Sequence, residues 1–105
     1  MKVVWSKQAG KSMRQISSYI KKRFGLRAKE TFLSEVTDIV SSLENNPYIG
    51  KRDPYMEGNP VEYRCMFVNR LSKMVYYVDK NNVYVVAFCD ARRDPESIAA
   101  SIESI

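Results

Sequence analysis

The spacing of apolar residues changes repeatedly along this chain, and each change marks an element. Lys2-Val3-Val4-Trp5 is a short apolar run suited to a strand, and Ser6 behind it can cap a helix. Ala9, Met13, Ile16, Ile20 and Phe24 then recur at three- and four-residue spacing, with lysines and arginines elsewhere on the surface and Gly25 at the end. A second stripe runs through Ala28, Phe32, Val36, Ile39 and Leu43 and stops at Asn45-Asn46-Pro47. Two amphipathic helices joined by a glycine-marked turn make an αα-hairpin. Both stripes read as core, not as cofactor-binding faces.

Residues 48–60 are rich in Gly, Pro, Asn and charge and read as a loop. Three β-rich runs follow, Glu62–Val68, Lys73–Asp79 and Val83–Cys89. Their connections, Asn69-Arg70-Leu71-Ser72 and Lys80-Asn81-Asn82, are short and polar, which favours antiparallel neighbours. At the end, Asp94 suits an N-cap, Pro95 the first helical position and Glu96 the positive end of the helix dipole. Ile98, Ile102 and Ile105 have the spacing of a short docking helix. The pattern predicts an α+β fold ordered β-α-α-β-β-β with a short C-terminal helix, the hairpin packed on a mainly antiparallel sheet. No repeat or low-complexity stretch interrupts it, so residues 1–105 read as one domain, long enough for a single modest core.

Charge adds an asymmetry. The net charge is +5, yet residues 1–29 hold nine basic residues and no acidic one, while the rest holds eight basic against twelve acidic, giving +9 and −4. That split suits either an anionic partner or a solvated, solubilising face. The two cysteines, Cys65 and Cys89, lie inside strand-like runs and read as small buried hydrophobes in a reducing cytoplasm. With no histidine and no CxxC or HExxH pattern, neither a metal site nor a cofactor is expected. No apolar run reaches 18 residues and the N-terminus is no signal peptide, so a cytoplasmic protein without membrane contact is expected.

Candidate chemistry centres on Arg92 and Arg93, two permanent charges between the last strand and the final helix. Arginine forks bind phosphate or carboxylate bidentately, although a solvated pair that merely ends a strand has the same composition. Alternation puts Tyr63, Cys65 and Phe67 on one face of their strand and Arg64, Met66 and Val68 on the other. On the next strand Lys73, Val75, Tyr77 and Asp79 share a face. One antiparallel register would bring Arg64, Lys73 and a terminal arginine over a common concave surface.

The element order, the Glu62-Tyr63-Arg64 strand start, the Met74-Val75-Tyr76-Tyr77-Val78 strand and the closing Ala91-Arg92-Arg93-Asp94-Pro95 resemble the RelE/ParE superfamily of bacterial toxins. The resemblance covers essentially the whole chain. It implies the toxin of a type II toxin–antitoxin (plasmid stabilisation-like) system that arrests growth, held inactive by a cognate antitoxin and meeting operator DNA only through the antitoxin complex. It also implies one of two targets: ribosome-bound mRNA, cleaved by a metal-independent endoribonuclease, or DNA gyrase.

For the ribonuclease branch, the resemblance puts Arg64 at a catalytic lysine, Lys73 at a phosphate-clamping arginine and Arg93 at the arginine after the last strand. A second lysine of that branch would fall at Met66, and its C-terminal aromatic at Ala99. Glu62, Glu57 or Tyr77 would have to move protons instead. The Arg-Arg-Asp-Pro close is nearer the ParE-like branch, so a gyrase poison is the favoured expectation, with Arg92, Arg93 and Tyr77 as target- or phosphate-binding residues. A non-catalytic module that only binds antitoxin and operator is the remaining alternative.

Overall fold

In the computed structural model, which describes residues 1–93 and 95–102, the predicted elements appear in the predicted order. Strand β1 (Lys2–Trp5) leads into α1 (Lys7–Phe24), whose N-cap Ser6 accepts a hydrogen bond from the Ala9 N–H at 3.0 Å. Gly25, at φ +100°, separates α1 from α2 (Leu26–Asn45) in a conformation that L side chains rarely adopt. Strands β3 (Arg64–Val68), β4 (Ser72–Asp79) and β5 (Asn82–Asp90) form an antiparallel meander, and α3 (Pro95–Ser101) closes the chain. Asp94 and Ile105 lie outside the described residues, together with their expected roles as N-cap and docking residue.

The stretch expected to be loop contains more. A two-residue strand, β2 (Lys51–Arg52), pairs with β3, and a 3-10 turn, η1 (Pro54–Met56), follows it. The sheet order is β1-β5-β4-β3-β2, with β1 parallel to β5 and every other pair antiparallel. β2 shows no apolar alternation because both its residues are exposed at the sheet edge. Its backbone approaches closely at buried Gly50, whose N–H donates to the Tyr76 hydroxyl at 2.9 Å. A Cβ there would lie 2.6 Å from that oxygen, so only glycine fits.

The two faces of the sheet bury separate cores. On one, Ala9, Phe32, Val36 and Leu43 of the hairpin pack on Val68, Met74, Tyr76, Val83, Val85 and Phe88. On the other, η1 and α3 cover Tyr63, Cys65, Val75, Val86, Ala87 and Cys89, with Ile98 of α3 itself 3% exposed. The β4–β5 register shifts at Val75/Tyr76, leaving Val86 as an extra residue. That bulge lets Val83, Val85 and Phe88 share the helix-facing side despite their mixed parity.

Candidate functional site

A groove of about 1070 Å³ opens between the helical hairpin and one end of the sheet. Its walls are Ile16, Tyr19 and Phe24 of α1 with Phe32 of α2, its floor includes Val68 and Phe88, and its far rim is Leu71, Arg92 and Arg93. Three of these, Tyr19, Phe24 and Leu71, are exposed large hydrophobics, at 61%, 68% and 61%. Grouped around one groove, such apolar surface left in water makes a candidate contact site. The rim is positioned by backbone. Asn69 and Arg70 adopt φ 54° and 61°, the geometry of a type I′ hairpin turn closed by Leu71 N–H to Val68 C=O at 3.1 Å. The Leu71 carbonyl then accepts from Ala91 N–H at 2.8 Å, and Arg93 N–H closes the next turn on the Asp90 carbonyl at 3.0 Å.

The two arginines differ in what they can still bind. Arg92 holds Asp90 in a fork, Nε to Oδ1 at 3.1 Å and Nη2 to Oδ2 at 2.8 Å. Its own N–H also donates to Oδ1 at 2.8 Å. These hydrogen bonds hold the Asp90 carboxyl at about 2, below its ordinary 3.8. Arg93 is exposed and makes no ion pair among the described residues. Among the described residues it is the rim arginine whose fork is open to a carboxylate or phosphate.

The common surface for Arg64, Lys73 and a terminal arginine does not form, and the register gives the reason. Arg64 lies opposite Tyr76 and Phe67 opposite Lys73, which puts Arg64 and Lys73 on opposite faces of the sheet. Arg64 is a strap. It donates to the carbonyls of Gly50 at 2.7 Å and Tyr48 at 3.3 Å, and pairs with Glu62 at 2.7 Å, while its buried Nε has no partner. Lys73 is 6% exposed and bonds Asp53, itself 3% exposed, at 2.9 Å beneath the Tyr55 ring.

Asp53 in turn accepts the Tyr55 N–H at 3.0 Å and gives its own N–H to Tyr63 at 2.9 Å, so the ion pair fastens η1 onto the sheet. Tyr77 sits on this same far face, stacked on Tyr84 at 5.1 Å and edge-on to Tyr63 at 5.8 Å. Burial pushes its phenol up, away from easy proton release. Tyr77 does not line the groove with Arg92 and Arg93.

Of the other candidates for chemistry, Glu57 is exposed and forms no ion pair among the described residues, and the rest are engaged. Glu62 pairs with Arg64 and with Arg52 at 3.4 Å, and Met66 packs against the helix-facing core. Burial is the main cause that raises both thiols, Cys65 and Cys89, against acting as nucleophiles. Among the described residues, no acidic or cysteine group is arranged to hold a metal and no helix is long and apolar enough to cross a membrane. Sequence reasoning missed the groove and the Asp53–Lys73 pair. The groove had a faint signal in Leu71, an apolar residue within a polar turn, and in Tyr19, an aromatic off the helical stripe.

Comparison with known proteins gives these features a context. The family profile described as "ParE toxin of type II toxin-antitoxin system, parDE" matches residues 3–95. A search of curated proteins finds no match. Among solved structures, a chain of the chromosomal ParDE TA system from P. aeruginosa superposes with a TM-score of 0.70 at 14% identity, covering 88% of this chain and 97% of that one. The YoeB dimer from Staphylococcus aureus gives 0.56 at 19% identity, covering 86% and 94%. At those identities the structures speak for the fold. The profile, spanning nearly the whole sequence, places the chain in the ParE toxin family of type II toxin–antitoxin systems.

Proposed function

We propose that this chain, acting as a single domain in the cytoplasm, arrests bacterial growth by poisoning DNA gyrase through protein–protein contact at the groove. The observation that carries the reading is the division of the cations: of the three a nuclease would use, Arg64 and Lys73 are spent inside the fold, and Arg93 alone is exposed, at an apolar rim and with no ion pair among the described residues. Cleavage of RNA needs a base for the 2′-hydroxyl, a cation for the phosphate and an acid for the leaving oxygen, and proton transfer alone is worth about 10²–10⁴-fold. Lys73 is committed to Asp53, Arg64 to two carbonyls and Glu62, and the chain has no histidine. An apolar trough with one cationic edge suits a protein partner: apolar side chains pack on Tyr19, Phe24 and Leu71, and a carboxylate reaches Arg93.

A cognate antitoxin fits the same groove with an apolar, acid-bearing segment, which silences the toxin by occupying its recognition surface. The operator's sequence is then read only through that complex. The test is pulse-labelling of DNA and protein synthesis side by side just after induction. Early collapse of DNA synthesis with translation persisting is expected, and early collapse of translation would assign the chain to mRNA cleavage instead.

A further inference from the structure

Eight of the nine basic residues of positions 1–29 lie on the hairpin, and they are not spread evenly over it. At ~100° per residue, Lys7, Lys11, Arg14, Lys21 and Lys22 fall within ~100° of arc, in a row about 22 Å long on α1. All five are exposed, and none forms an ion pair among the described residues. The acidic residues of α2, Glu30, Glu35, Asp38 and Glu44, therefore leave this row uncompensated. The row is also distinct from the groove, whose α1 wall is the neighbouring strip through Gln15, Ile16, Tyr19 and Arg23.

We propose that this stripe on α1 is a docking surface for the phosphate backbone of duplex DNA. Its composition selects the partner. Ser18 is the other residue on the arc, so the stripe holds neither the apolar centre of a protein interface nor the aromatic platform that single strands stack on. What remains is a rigid row of point charges, which suits a regular polyanion and reads backbone without reading sequence. The choice of duplex DNA rests on the gyrase reading, in which the toxin meets an enzyme holding duplex DNA. The stripe would hold the toxin to that DNA while the groove engages protein.

The test is the affinity of the purified chain for a labelled duplex, read by anisotropy across a salt series with no gyrase present. Five phosphate contacts give a log–log slope near −4.5, so a fourfold rise in salt weakens binding about 500-fold. A variant with all five stripe cations changed to Gln should lose that slope. A control with Lys2, Arg27, Lys51, Arg70 and Lys80 changed to Gln, which has the same net charge, should keep most of it. Equal loss in both variants would reduce the effect to net charge. Absence of duplex binding at low salt, or equal affinity for polyglutamate, oligo(dT) or duplex RNA, would overturn the proposal. Failure here leaves the gyrase reading standing, because that reading is decided separately by the labelling of DNA synthesis in cells.

Discussion

Lys73 and Arg93 are both cations placed by strands of one sheet, yet they stand in opposite physical situations. Lys73 is buried to 6% under η1 and bonded to Asp53, on the face covered by α3. Arg93 is exposed at the end of a tightly closed turn, beside a trough of unfilled apolar surface. A buried pair has given up its charge to hold the fold, since each ion's desolvation is offset by the other, with Tyr55 assisting both. A free, backbone-positioned cation can still exchange water for a ligand. Charge in the sequence is thus no guide to function until its partner is known.

That contrast can be broken by substitution, beginning where the effect on stability is greatest. Asp53→Ala leaves the Lys73 ammonium buried and unpaired and should cost about 3–5 kcal/mol in urea denaturation. Replacing both partners, Lys73→Met with Asp53→Leu, should recover most of that loss, because apolar groups of similar size fill the site without a charge to desolvate. Gly50→Ala pushes a methyl against the Tyr76 hydroxyl and the Cys65 carbonyl, at 2.6 and 2.8 Å, and should cost about 1–3 kcal/mol by the same assay. Arg93→Ala, by contrast, should change stability by less than about 0.5 kcal/mol while abolishing growth arrest.

The smallest effect belongs to Asp90. Its folded value is depressed, so its contribution is present above the ordinary 3.8 and is lost as pH falls toward about 2. Solvent screening at this exposed pair keeps the contribution slight. Carboxyl NMR should show a midpoint near 2 that returns toward 3.8 in Arg92→Ala.

What the sequence made legible follows from the range of the forces involved. Both helices and the three strands of the meander are written locally, in apolar periods and turn residues, and they appear within two residues of the expected bounds. Strand β2 and η1 are not, because they are fastened by side chains far along the chain: Tyr76 receiving Gly50, and Lys73 receiving Asp53. Alternation correctly separated Arg64 from Phe67 within β3, and Tyr77 from Tyr76 within β4. Bringing Arg64 over Lys73 required the β3–β4 register, which no local pattern encodes, and that register sends them to opposite faces. The arginine pair was legible as a candidate because Arg92 and Arg93 adjoin in sequence at the end of a strand, whereas the groove beside it is assembled from α1, α2, β3, β4 and β5.

The contrast comes down to two variants, compared for unfolding midpoint and for growth after induction: Arg93→Ala and the double change Lys73→Met with Asp53→Leu. Both should fold, with Arg93→Ala letting induced cells grow and the double variant still arresting them. A folded Arg93→Ala that arrests growth, or a folded double variant that is harmless, would contradict that contrast and return the working cation to the buried face.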